Sequence, residues 1–170
     1  MLNARRTVLR IRWLDAVEGG RMHCFQRESR MTSTQRTVIL ETRPAGEEHQ
    51  VVSARSDKKS YRKRPCSDCP WRVDATREFP AEAFRHSACT AYDMSEHVFG
   101  CHQSGTDKPA TCAGFLLRGA DHNLAVRLRR MSGQCLDDVS DGGVVLHGSY
   151  VDMAVANGVD PDDPCLHACR

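Results

Sequence analysis

Aromatic residues and long apolar segments are both scarce in this sequence. Aromatics make up 6% of the 170 residues, which limits the apolar core that the chain can build, and small cores of this kind often depend on a metal ion or on disulfides. No apolar run approaches the roughly 20 residues of a membrane-spanning helix. Residues 1–20 lack the continuous apolar stretch and the small-residue cleavage site of a secretory signal. We therefore expect a cytoplasmic protein without membrane contact.

Cysteine, in contrast, is abundant, with nine residues. In a reducing compartment such a count favours metal binding over disulfides, and an odd number leaves at least one thiol unpaired. The segment RPCSDCPWR contains a CxxC pair, Cys66 and Cys69, whose short turn lets both sulfurs face one ion. Cys101 in FGCH and Cys112 in TCAG complete a set of four. The spacing predicts a closed, structural zinc site with these four thiolates as ligands.

Two alternatives to this ligand set remain open. His102 follows Cys101 and is the reserve ligand, because neutral imidazole also suits zinc. Adjacent residues rarely both bind one ion, so we expect His102 to lie beside the site. Four thiolates can also hold an iron–sulfur cluster, and the proline after Cys69 is similar to the Cys-Pro of some ferredoxins. Zinc remains the favoured cofactor, because the gap between Cys69 and Cys101 is long for such a cluster.

The remaining cysteines carry a weaker signal. Cys165, His167 and Cys169 form a terminal cluster in PCLHACR, which we expect to be unliganded, although a second ion is the alternative. Three further cysteines have no partner at metal-site spacing: Cys24, Cys89 and Cys135.

The charges are unevenly distributed. Residues 1–65 hold 15 Lys and Arg against 7 Asp and Glu, whereas residues 66–170 hold 9 against 15. A basic segment of this kind is a candidate contact for nucleic acid, and its cations near the boundary are Arg55, Lys58, Lys59, Arg62, Lys63 and Arg64. The simpler interpretation is a solvated, partly disordered extension. Met31 offers a second plausible translation start within it.

The local patterns predict an α+β fold in two parts. Residues 1–63 form the basic extension, with a β-hairpin at 36–53 around the turn residues Pro44 and Gly46. Residues 64–170 form the cysteine-rich domain, with short strands, including one at 97–101, and two to three helices. We expect these helices to begin at Pro80, Asp121 and Ser149, the last ending before Gly158.

Enzymatic interpretations have less support. Asp121 and His122 after a CxxC pair are similar to the Asp-His stretch of zinc-stapled ββα-metal nucleases, in which the histidine activates water, but the second CxxC pair of those enzymes is missing. A zinc deaminase needs its His/Cys-x-Glu motif before the PCxxC, and here the order is reversed. Trp71 next to the CxxC could stack on a base, but we expect it to cover the metal site and enlarge the core.

Several linked motifs occur in order: RPCSDCPWR, FPAEAF, FGCHQS, TCAGFLLRGADHNLAVRL and SYVDMAVANGVDPDDPC. Across residues 64–165 the chain resembles an uncharacterised family of small cysteine-rich proteins of bacteriophages, prophages and bacterial genomes. The resemblance implies a phage or prophage setting and no established activity. We therefore expect a non-enzymatic zinc-binding module that contacts a host or phage protein or a nucleic acid. The alternatives are a metal-dependent nuclease and, less favoured, an iron–sulfur redox or sensor protein.

Overall fold

The computed structural model describes residues 37–170 and the backbone of residues 6–12. Four strands form one mixed sheet: β1 (Arg6–Arg12), β2 (Val38–Pro44), β3 (His49–Arg55) and β4 (His97–Gly100). The strand order is β2-β3-β1-β4. β2 pairs antiparallel with β3, β1 runs parallel to β3, and β4 runs antiparallel to β1. The first strand of the chain therefore lies between β3 and β4.

β2 and β3 form the hairpin in the region where the sequence predicts one. The turn between them contains Gly46 at φ 109°, a backbone angle that glycine adopts without strain. Val51, Val52 and Ala54 of β3 belong to the same buried cluster as the aromatic residues of the cysteine-rich part. The boundary predicted between residues 63 and 64 thus falls after a hairpin that packs on the main core. Of the predicted extension at 1–63, residues 1–5 and 13–36, which include Met31, lie outside the described residues.

Four α-helices occur in the described residues: α1 (Ala81–Ser87), α2 (Ala113–Arg118), α3 (Leu124–Met131) and α4 (Tyr150–Ala156). Short 3-10 turns connect several of them. Helices and a mixed sheet give the α+β class that the sequence predicts. The pattern predicts α1, α3 and α4, and the structure adds α2. None of the helices in the described part of the chain is long and apolar enough to cross a membrane.

The helix caps follow the sequence in one case and differ in another. Ser149 caps α4 by accepting a hydrogen bond from the amide of Asp152, and Gly158 follows its end at φ 93°, as predicted. α3 is capped by Asn123 and not by Asp121. The Asn123 side chain is buried and accepts from the Val126 amide, while its NH₂ group donates to the His97 carbonyl. Asn123 therefore links the start of α3 to β4.

Trp71 is the centre of the core. It is completely buried and makes ring contacts with Phe99, Phe115 and Tyr150 at centroid distances of 6.1 to 6.2 Å. Its burial excludes stacking of the indole on a nucleic-acid base and agrees with the predicted role in the core. The residue follows the CxxC pair by two positions, so the thiol-bearing turn is attached directly to the core.

The basic segment 58–64 is held against the rest of the protein. Backbone hydrogen bonds join Ser60 and Arg62 to Thr111, and the Tyr61 hydroxyl donates to the Asp138 carboxylate at 2.7 Å. Lys63 also pairs with Asp138, at 2.9 Å. The sequence assigns this segment to the basic, partly disordered extension. Polar and backbone contacts fix it instead.

The C-terminal segment is held by Asp163. Its carboxylate accepts hydrogen bonds from the Cys165 amide at 3.0 Å and from Arg85 Nε at 2.7 Å. The Arg85 guanidinium is the main reason that the pKa of Asp163 falls to about 2, so the carboxylate stays ionised in mild acid as well as at neutral pH. Leu166, three residues further on, is buried in the main core.

We expect Asp163→Ala to loosen this segment at pH 7, because it removes the acceptor for the Cys165 amide and the partner of Arg85. Hydrogen exchange should show faster exchange at Cys165 and Leu166, with the amides of β3 unchanged. The matched control is Asp162→Ala, in the same exposed loop. Equal protection in the two variants would contradict the role of Asp163.

Candidate metal centre

Three separate segments bring Cys66, Cys69, Cys101 and Cys112 together. Cys66 and Cys69 flank a turn closed by the Cys69 amide, which donates to the Cys66 carbonyl at 3.3 Å. Cys101 follows the end of β4, and its amide donates to the Ala110 carbonyl at 2.8 Å. The amide of Cys112, just before α2, donates to the Phe99 carbonyl at 2.9 Å. Backbone pairing between 99–101 and 110–112 therefore holds Cys101 and Cys112 on adjacent segments.

The four thiols are buried and in mutual contact. The Sγ atoms of Cys69 and Cys112 are 3.4 Å apart, and those of Cys66 and Cys101 are 3.8 Å apart. Cys66 also interacts with Cys69, which connects the two pairs. Each of the four residues is at most 6% exposed. We call this group the four-thiol cluster.

The sulfur separations are close to those of a single tetrahedral ion. Four sulfurs at about 2.3 Å from zinc lie about 3.8 Å from one another. Within residues 37–170, no group of three or more His, Cys, Asp and Glu side chains has the geometry of a site that could hold a metal ion. The thiols instead contact each other in S–H···S pairs. Their identity and spacing fit a thiophilic ion, whose binding would draw the pairs around one centre.

Crowding and burial raise the pKa values of these thiols. The hydrogen bond with Cys112 and burial hold the pKa of Cys69 well above its usual range. The contact with Cys66, together with burial, does the same for Cys101. For Cys66 the hydrogen bond from Cys101 lowers the pKa, but Cys69 and burial outweigh it, and the pKa rises to about 12. Thiolates in this position would repel one another, and a bound divalent cation would offset that repulsion.

His102 lies at the edge of the four-thiol cluster. Its Nδ1 is 3.7 Å from the Cys66 sulfur, and its Nε2 is 3.8 Å from a carboxylate oxygen of Asp68. The ring also packs edge-to-face on Phe79, with centroids 5.2 Å apart. The sequence predicts His102 beside the site. The contacts of Asp68 and Phe79 with His102 could not be predicted from the cysteine spacing, because both contacts depend on the tertiary fold.

The terminal residues Cys165, His167 and Cys169, predicted to be unliganded, differ in their burial. His167 is exposed, whereas Cys165 and Cys169 are half-buried. The Cys169 thiol faces backbone carbonyls, those of Cys165 at 3.6 Å and Ala88 at 3.7 Å. Burial is the main cause that raises the pKa of Cys165 to about 12 and that of Cys169 to about 11. Cys135 is exposed and contacts Asp137, and Cys24 lies outside the described residues.

The residues of the predicted nuclease site are on the surface. The His122 side chain is 60% exposed, with its Nδ1 4.0 Å from an Asp93 oxygen, and Asp121 is 85% exposed beside Arg130. Asn123, the third residue of that stretch, is buried as the cap of α3. The hydrogen bonds of Asn123 explain its buried position by a structural role alone. The nuclease interpretation stays a prediction.

The fold and the four-thiol cluster define a small α+β protein built around clustered cysteines. Residues 61–170 match the family of unknown function DUF6283, and the chain belongs to this family. The match begins within the basic segment and includes every residue of the four-thiol cluster. No curated protein and no solved structure shows significant similarity to the chain.

Proposed function

We propose that this protein is a non-enzymatic binding module whose fold is stapled by one zinc ion, with Cys66, Cys69, Cys101 and Cys112 as ligands. The observation that supports the proposal is the convergence of four buried thiols from three chain segments, at separations of 3.4 and 3.8 Å within the two pairs. Four protein ligands leave no open coordination position, which is typical of structural zinc sites. The ion would supply cross-linking between segments and no chemistry on a substrate.

The sulfur separations also favour one ion over a four-iron cluster. In a four-iron cluster each cysteine binds a different iron, which keeps the cysteine sulfurs farther apart. Sulfurs in direct contact, as in the Cys69 and Cys112 pair, suit a single small ion better. Zinc is the ion of choice for four thiolates in a structural role.

The binding role rests on the surface that the staple supports. Segment 58–64 is fixed next to the CxxC turn, and Lys59, Arg62, Lys63 and Arg64 are exposed along it. A structural zinc site of this kind stabilises a surface that a partner can contact. The resemblance implies a phage or prophage setting, in which the partner would be a host or phage protein or a nucleic acid. Lys63 is already paired with Asp138, so its charge is partly offset.

DNA binding provides a direct test of this surface. If it contacts phosphates, Arg62→Gln with Arg64→Gln should lower the slope of log K against log salt for a 30-base-pair duplex by about 2, since each neutralised phosphate contributes about 0.9. Lys63→Gln is the matched control, because this charge already faces Asp138. We expect a smaller change for the control. An unchanged slope in the double variant would exclude this segment as the DNA contact. If the wild-type protein does not bind DNA at all, a protein remains as the proposed partner.

A further inference from the structure

The four-thiol cluster has a fifth donor atom next to it. His102 Nδ1 is 3.7 Å from the Cys66 sulfur, which is within the 3.4 to 3.8 Å range of the sulfur pairs. Two atoms bound to one zinc ion lie this far apart. The geometry therefore offers five donors for four coordination positions, and the fifth is adjacent to Cys66.

His102 has the surroundings of a metal-bound histidine. Metal-ligating histidines usually direct their second nitrogen at a carboxylate, which fixes the ring orientation and strengthens the ligand. Here Nε2 faces Asp68 at 3.8 Å while Nδ1 faces the cluster. The side chain is 8% exposed, and Phe79 packs against the ring. The ring thus lies between the thiols and a carboxylate that is near Nε2 but beyond hydrogen-bond distance.

Cys66 is the most accessible of the four cysteines. It is 6% exposed, against 0 to 2% for the other three. The amides of Cys101 and Cys112 are tied into the strand pairing at 2.8 and 2.9 Å. Cys66 stands at the start of the CxxC turn, next to the surface segment 58–64. Its thiol can therefore leave the ion with less disturbance of the core than the other three.

We propose that the metal centre has two coordination states, one with Cys66 and one with His102 in the fourth position. In the exchange the bond from the ion to Cys66 Sγ breaks, a bond to His102 Nδ1 forms, and the released thiolate takes a proton from water. No oxidation is involved. Cys101 and His102 are neighbours, so both binding one ion strains the chain, and the four-sulfur state is the resting state. This inference rests on the proposed zinc site and adds an exchangeable position that exposes the Cys66 thiol.

The test uses Co²⁺ alone as the probe, followed by its visible absorption during titration of the reduced, metal-free chain. We expect Cys66→Ala to bind one Co²⁺ in a tetrahedral site, with thiolate charge-transfer absorption reduced by about a quarter, because three thiolates remain of four. Adding His102→Phe to this variant should lower its Co²⁺ affinity by more than the roughly 10- to 100-fold that follows loss of a residue that only orients a ligand. Cys112→Ala, which removes the thiol paired with the fully buried Cys69, should lose Co²⁺ binding by itself.

A second measurement avoids variants that fail to fold. Iodoacetamide applied to the wild-type protein loaded with Co²⁺ should alkylate Cys66, as peptide mapping shows, while the ion stays bound. In His102→Phe the same alkylation should release the ion. No Co²⁺ binding by the wild-type protein would refute the zinc site itself. The two-state inference would be overturned, with the staple left intact, by the following combination. The wild-type protein binds Co²⁺ normally, Cys66→Ala binds it as poorly as Cys112→Ala, and alkylation of Cys66 releases the ion.

Discussion

Replacing Cys69 or Cys112 with serine is expected to abolish zinc binding and to unfold residues 61–170. Both residues are at most 2% exposed and lie in contact with each other between the CxxC turn and the start of α2. The binding free energy of a structural zinc ion is about 10–16 kcal/mol in zinc-finger peptides, and it contributes directly to folding. That is as large as the net stability of a typical domain, about 5–15 kcal/mol. The measurement is zinc content together with far-UV circular dichroism.

The matched control for these variants is Cys135→Ser. Cys135 is an exposed thiol in the loop after α3, outside the four-thiol cluster. Its replacement should leave one zinc ion per chain and the thermal midpoint within about 1 °C, as for surface substitutions of small effect. A folded Cys69→Ser or Cys112→Ser protein with the same midpoint as the control would refute the staple.

Gly114→Ala is expected to destabilise the protein strongly, against the usual trend. In a helix, alanine is favoured over glycine by about 1 kcal/mol. Gly114, in the first turn of α2, lies against Trp71, and an added Cβ would be 2.5 Å from the Trp71 Cβ and 2.8 Å from its Cγ. Such distances force Trp71 or α2 to move, and overpacking of this kind costs about 1–3 kcal/mol or more. Urea unfolding at saturating zinc gives the free energy of unfolding directly.

Two comparisons make the Gly114 result specific. Gly119 meets the other end of the same indole, with its added Cβ 2.6 Å from Trp71 Cη2, so Gly119→Ala should be destabilising too. Arg118→Ala, in the same helix but exposed, should change the free energy of unfolding by less than about 0.5 kcal/mol. A Gly114→Ala protein as stable as the wild type would mean that Trp71 does not pack on α2 in this way.

The arrangement of the cysteines illustrates what spacing can predict. The CxxC pair and two single cysteines indicate four ligands, and the structure places their sulfurs side by side. Their role as ligands stays a prediction. Asp68 and Phe79 could not be assigned to the site from sequence, because their contacts with His102 arise only when the turn, the segment after it and β4 meet.

The helices show where periodicity is misleading. Leu124, Leu128 and Met131 form an apolar stripe in sequence, but Met131 is 82% exposed and the buried residues of α3 are Ala125, Val126 and Arg129. Arg129 is buried through a hydrogen bond from its Nη1 to the Thr111 hydroxyl, at 3.0 Å. Leu124 and Leu128 are half-buried. Hydrophobic patterning counts an arginine as a solvent-facing residue, so it misses Arg129 and wrongly assigns Met131 to the core.

α2 and β1 could not be predicted for a different reason. α2 has six residues, one of which is glycine, and so has little intrinsic tendency to form a helix. The packing of α2 on Trp71 explains why the helix forms, and that contact exists only in the tertiary structure. β1 pairs with strands that follow it by more than 40 residues along the chain. Such non-local pairing is set by the topology of the whole sheet and leaves no local signal.

Metal content tests the central claim most directly. The protein should be produced without a metal-chelating column, purified anaerobically and measured by inductively coupled plasma mass spectrometry with a parallel sulfide assay. The zinc staple predicts one zinc ion per chain and no sulfide. Iron with sulfide would instead indicate a redox cluster held by the same thiols, and protein that is folded with no metal would contradict the staple altogether.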